Sequence, residues 1–188
     1  MENKIKEIIK GSITVKEKVI SDSVSDIKAI IDLCIKTLKS GAKIIFCGNG
    51  GSAADSQHLA AEFVVRFKKS RKSLPAIALT TNTSILTAIG NDLGFEMVFA
   101  RQIESLANKN DVLFLISTSG ESKNMIEAVK KAKEVGVSTI AFTGEGGKEF
   151  AKSCDFSFVA PSNNTARIQE AHICVGHVIC ELIEEALS

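Results

Sequence analysis

From Lys43 onward, five short apolar runs alternate with helical patterns, and this alternation limits the possible fold more than any other feature. The runs are Ile44–Cys47, Ala76–Leu79, Val112–Ile116, Thr139–Phe142 and Phe156–Val159. Each has strand length and carries no charge, as strands buried on both faces do. Between them the spacing predicts helices at about Ala53–Phe67, Ser84–Ile89, Phe95–Ala107, Lys123–Val135 and Lys148–Lys152, and a long closing helix from Ala166 to Leu187. Short strands joined by crossover helices imply an α/β fold, a parallel sheet covered by helices on both sides.

Two helical patterns precede the first strand. Ile5, Ile8, Ile9, Val15 and Val19 mark a helix from about Glu2 to Val19, with an interruption expected near Gly11. Ile27, Ile30, Ile31, Cys34, Ile35 and Leu38 mark a second, stopped by Gly41. A helical pair with no strand before it is expected to pack on a neighbouring subunit as well as on its own core. No repeat or linker is visible, so residues 1–188 read as one domain, with 1–40 used in oligomerisation.

Composition serves mainly to exclude. A net charge of +1 and aromatic content of 5%, all of it Phe, offer neither a polybasic surface nor a base-stacking platform, so no nucleic-acid partner is expected. Cys34, Cys47, Cys154, Cys174 and Cys180 contain no CxxC pair and read as reduced thiols of a cytoplasmic protein. No run reaches the roughly 20 apolar residues of a membrane span, and MENKIKEIIKGS lacks a signal-peptide core. No membrane partner is expected.

Ligands of such sheets sit beyond the carboxyl ends of the strands. The first strand runs into Gly48-Asn49-Gly50-Gly51-Ser52 and then a helix, an arrangement suited to an anion because the glycines admit close approach and helix N–H groups point outward. The third runs through Ser117, Thr118, Ser119, Gly120 and Ser122 into a helix, and these hydroxyls can hold a phosphate without lysine. N-capping is the plain alternative for Ser119 or Ser122 taken singly. The glycine turn also fits GxGxxA, but the following strand ends in Thr80-Thr81-Asn82 with no acid for a ribose, which argues against a dinucleotide.

His58 and Glu62 share a helix face at a spacing of four. On the closing helix, Gln169 and His177 lie roughly 80° apart around an ideal helix and can address one cavity. Together these four offer two imidazoles, a carboxylate and an amide oxygen, a set able to bind zinc, although a surface pair would also explain His58 and Glu62. His172 points elsewhere and reads as structural or interfacial. Asn91-Asp92 reads either as a turn or as an amide and carboxylate for substrate hydroxyls. Arg66 and Arg101 read as solvated or interfacial, and Lys68-Lys69-Ser70-Arg71-Lys72 as an exposed basic loop.

With these residues in view, the chain resembles the sedoheptulose-7-phosphate isomerase (phosphoheptose isomerase) family of the sugar isomerase (SIS) fold. The matching motifs are GNGGSAADSQHLAAE (Gly48–Glu62), AIGNDLGFE (Ala88–Glu96), ISTSGES (Ile116–Ser122), AFTGEGG (Ala141–Gly147) and ARIQEAHICVGH (Ala166–His177). The resemblance implies a five-stranded parallel sheet sandwiched by helices, flavodoxin-like and three-layered, in a homotetramer with active sites at subunit interfaces. It implies one zinc per subunit at His58, Glu62, Gln169 and His177, phosphate at Ser117, Thr118, Ser119 and Ser122, and a sugar lined by Asn49, Gly50, Gly51, Ser52, Glu62, Asn91, Asp92 and Gln169. The implied product is D-glycero-D-manno-heptose 7-phosphate, the entry to nucleotide-activated heptose for lipopolysaccharide core or other surface glycans.

The implied chemistry suits these residues. Ketose-to-aldose conversion moves a proton between adjacent carbons through an enediol, with Glu62 as carbon base and His177 as general acid/base. The alternative is a non-enzymatic relative of this fold that binds the replication initiator; it lacks the acid and the imidazole present here at Glu62 and His177. A sugar-phosphate sensor for transcription would need a DNA-binding module for which the chain has no room.

Overall fold

The computed structural model describes all 188 residues, Met1–Ser188. Helices α1 (Glu2–Asp22) and α2 (Val24–Lys39) precede five strands, β1 (Ile44–Gly48), β2 (Ala76–Ala78), β3 (Val112–Ile116), β4 (Ser138–Gly144) and β5 (Phe156–Ala160). The connections carry α3 (Gly51–Val64), α4 (Thr83–Asp92), α5 (Ala100–Leu106), α6 (Lys123–Val135) and α7 (Lys148–Lys152), and α8 (Thr165–Leu187) closes the chain. Every strand pair is parallel and the order is β2-β1-β3-β4-β5. The direction of winding therefore reverses between β1 and β3. A ligand crevice opens at such a switch point, and the paired ends Gly48 and Ile116 set the glycine turn beside the serine loop.

The strand side chains divide by alternation between two cores. Ile44, Phe46, Phe114, Phe142 and Phe158 face α1, α2, α3 and α8, whereas Ile45, Cys47, Leu113, Leu115 and Ala141 face α5, α6 and α7. On the first face a phenylalanine ladder crosses the sheet, with ring centroids 4.9 Å (Phe46–Phe114), 5.5 Å (Phe114–Phe142) and 5.3 Å (Phe142–Phe158) apart. Burying each such ring contributes about 1.5–3 kcal/mol.

The elements follow the hydrophobic periodicity, with three differences. Helix α1 passes through Gly11 unbroken; an interior glycine costs only about 1 kcal/mol, which the helix's packing on α8 through Val15 and Val19 offsets. Helix α4 continues to Asp92, so Asn91-Asp92 is its last turn and not a loop. The stop is Gly94, at φ +97°, where the N–H groups of both Leu93 and Gly94 reach the Ile89 carbonyl. The helix expected at Phe95–Ala107 is split into a 3₁₀ turn, Phe95–Met97, and α5.

All five cysteines are free. Burial pushes the thiols of Cys34, Cys47, Cys154 and Cys180 up, so these four are packing groups and not activated nucleophiles.

Candidate active site

Gly50 caps α3 with φ +54° and no side chain, leaving the helix start open at the crevice. A Cβ on Gly51 would lie 2.5 Å from Gln169 Nε2, so the absence of a side chain is what lets α8 bring that amide against the turn. Ser52 is buried beneath it.

The serine loop sits alongside. Ser117 Oγ accepts from the Gly120 N–H (3.1 Å) and Ser119 Oγ from the Glu121 N–H (3.3 Å), so both hydroxyl protons remain available to a ligand oxygen. Ser122 occupies the N-cap of α6 but makes no side-chain cap bond, so capping does not consume its hydroxyl. Thr118 and Ser119 also line a cleft of about 170 Å³ with Glu121, Asn163 and Thr165. The two strand ends are tied together by a reciprocal amide pair: Asn49 and Asn124 each donate to the other's side-chain oxygen at 2.9 Å. Asn124, buried in the first turn of α6, was missed from the sequence; its position two residues after Ser122 was the only hint.

Further along the seam between α3 and α8, His58 Nε2 lies 2.9 Å from His177 Nε2 and 3.5 Å from Glu62 Oε1. One imidazole of the pair must carry its proton at Nε2 and the other must be bare there. Leu59 and Gly176 bring the helices together next to the pair; a Cβ on Gly176 would lie 2.7 Å from Leu59 Cδ2. Phe67 forms a wall, its ring 5.4 Å from that of His177. Asp55, one turn before His58, has a buried Oδ2 with no hydrogen-bond partner; burial pushes its carboxyl up, and His58 draws it back down.

Two expected features lie differently. Asn91 and Asp92 are exposed and hydrogen-bond to each other (2.7 Å), not to the rest of the site. The basic loop is not wholly solvated. The Arg71 side chain is buried, 4% exposed, with Nε 3.0 Å from the Glu184 carboxylate. Four positive charges around one serine read as solvent-facing, and a partner so distant in the chain leaves no local signal. Arg66 and Arg101 are exposed as expected, and His172 is buried with Nε2 3.2 Å from the Thr143 carbonyl.

Two imidazole nitrogens and a carboxylate on facing helices, with an amide against the same seam, have the donor chemistry of a borderline cation such as zinc. They do not stand as a closed cluster, because no three His, Cys, Asp or Glu side chains are gathered closely enough to hold an ion.

The parallel sheet with its glycine turn and hydroxyl loop at the switch point defines the class: residues 9–144 match the model of the SIS domain family. Over 189 residues the chain is 51% identical to a phosphoheptose isomerase of Clostridium acetobutylicum, covering 100% of this chain and 96% of that one. It is also 51% identical over 185 residues to a phosphoheptose isomerase of Aquifex aeolicus, covering 98% and 97%. The structure of a phosphoheptose isomerase from Neisseria gonorrhoeae superposes with a TM-score of 0.92 at 42% identity, over 98% of each chain. The chain belongs to the phosphoheptose isomerase family.

Proposed function

We propose that this chain is an aldose–ketose isomerase converting D-sedoheptulose 7-phosphate to D-glycero-D-manno-heptose 7-phosphate, the first step toward nucleotide-activated heptose for a surface glycan. The observation that carries the reading is the convergence of His58, Glu62 and His177 on one seam, beside a strand end rich in free hydroxyls. Full-length relatives at about half identity bear the same activity in their names, which leaves the initiator-binding alternative without support.

In this reading Ser117, Thr118, Ser119 and Ser122 hold the phosphate through hydroxyls and the open start of α6. Asn49, Gly50, Gly51, Ser52 and Gln169 line the sugar. Glu62 takes a proton from the carbon beside the carbonyl and, after exchange with solvent at its carboxyl, delivers one to the neighbouring carbon. His177 gives a proton to the carbonyl oxygen and takes one from the adjoining hydroxyl, so the enediol forms and collapses with no net change in protons. His58, Glu62, Gln169 and His177 would hold zinc, one ion per subunit, supplying a Lewis acid that polarises the carbonyl. Glu62 and His177 then carry both duties.

The reading includes a homotetramer with active sites at subunit interfaces. Its support is apolar surface without a covering: Ile5, Ile8, Ile9, Ile13 and Ile20 of α1 are exposed, and a groove of about 640 Å³ between α1, α2 and α8 is almost wholly apolar. Asn91 and Asp92 join the site in that assembly. A cytoplasmic location is part of the same reading; no helix is long and apolar enough to cross a membrane.

The test is a direct assay with sedoheptulose 7-phosphate beside shorter ketose phosphates, with and without a chelator. Turnover of the seven-carbon ketose in preference to the others is expected, and none with it would overturn the reading.

A further inference from the structure

The end of α3 needs a partner. Its last carbonyls have no acceptor role inside the helix and concentrate the negative end of its dipole. Arg71 meets this need from the following loop: Nη2 donates to the Glu62 carbonyl at 2.8 Å and Nη1 to the Phe63 carbonyl at 2.9 Å. The same guanidinium lies 3.0 Å from Glu184 Oε1. Glu184 is two helical turns beyond His177, so it projects from the same face of α8. Its carboxylate also accepts the backbone N–H groups of Phe67 (2.9 Å), Lys68 (2.7 Å) and Lys69 (2.8 Å). Phe67 is the residue whose ring rests against His177.

We propose that Arg71 and Glu184 are positioning residues of the isomerase: one buried pair that caps the helix carrying Glu62, holds Phe67 on His177, and so sets the carbon base and the oxygen acid/base at a fixed separation. This rests on the isomerase reading and adds to it a device outside the substrate's reach. Burying a charge pair is costly, and apolar replacements of equal volume are often no less stable, so stability alone is a weak reason for one here. What an apolar pair could not do is bind two carbonyls and three N–H groups of the stretch from Glu62 to Lys69, which carries both Glu62 and Phe67.

The experiment measures kcat and KM for sedoheptulose 7-phosphate in wild type, Arg71→Met, Arg71→Lys, Glu184→Gln and Phe67→Leu, with unfolding midpoint and oligomer size measured on the same preparations. Because a displacement of reacting groups by about 1 Å can cost 10²-fold, kcat is expected to fall about tenfold or more in Arg71→Met, Glu184→Gln and Phe67→Leu. KM is expected to stay within about twofold, since the phosphate loop lies on another strand, and Arg71→Lys should recover part of kcat. Phe67→Leu leaves the buried pair in place, so it decides the matter should the other variants fail to fold. A wild-type kcat in the folded variants, or equal losses in kcat and stability with no effect of Phe67→Leu, would overturn the inference alone. An inactive wild type would overturn the isomerase reading, and the inference with it.

Discussion

His58 and His177 are 119 residues apart in the chain, yet their Nε2 atoms lie 2.9 Å from each other. No local interaction imposes that distance. It follows from how closely α3 and α8 pack, and the packing is tightest where Gly176 receives Leu59. Gly176→Val is therefore expected to destabilise the protein by about 1–3 kcal/mol through overpacking and to lose activity out of proportion to stability. Denaturant titration and turnover on the same sample check this, and Leu59→Ala in the Gly176→Val background should restore part of both.

The Asn49–Asn124 amide pair bridges the two strand ends that would hold the sugar and its phosphate. Asn124→Ala removes both bonds and leaves the Asn49 amide unsatisfied, at an expected cost of about 1–3 kcal/mol. The functional effect should appear as a higher KM for sedoheptulose 7-phosphate, read by steady-state kinetics, with a smaller change in kcat.

Acid should weaken the fold in two separate windows. Burial lowers His172 from 6.5 to about 4, only partly offset by the Thr143 carbonyl. The unfolded chain takes up this proton first, so the contribution of neutral His172 is complete above pH 6.5 and declines as pH falls toward 4. Glu184 acts lower. Burial pushes its carboxyl up, but the N–H groups of Lys69, Phe67 and Lys68 and the Arg71 guanidinium outweigh that and bring it from 4.5 to about 2. Its contribution is complete above pH 4.5 and is lost as pH falls toward 2. Denaturation midpoints measured against pH should show both declines, with His172→Gln flattening the upper one and Glu184→Gln the lower.

Metal content tests the proposed donor set independently of activity. About one zinc per chain is expected in the purified protein. Loss of an imidazole ligand should lower its affinity at least 10–100-fold, the scale already seen for supporting partners. Elemental analysis of His58→Ala and His177→Ala after dialysis should find both depleted; full occupancy in both would remove these residues as ligands.

Most of the architecture was legible because the strands are unbroken apolar runs and the helices keep their periodicity: Val112–Ile116 and Lys123–Val135 lie where the spacing puts them. Boundaries slipped where glycine was read by identity and not by conformation. Gly11 and Gly90 sit inside helices, whereas Gly94, with positive φ, ends one. At the candidate site, the hydroxyl loop stood out because it follows a strand end, and His58 and Glu62 because their spacing puts them on one helix face. Asn124, Phe67, Arg71 and Glu184 did not, because what each does depends on a partner supplied by another element.

The central claim is that Glu62 moves the proton between two sugar carbons. It is tested most directly by running the reaction with sedoheptulose 7-phosphate in D₂O and following deuterium at the reacting carbons by NMR. Wild type is expected to wash deuterium into the sugar as it isomerises, and folded Glu62→Gln to incorporate none. Incorporation by Glu62→Gln at the wild-type rate would contradict the account.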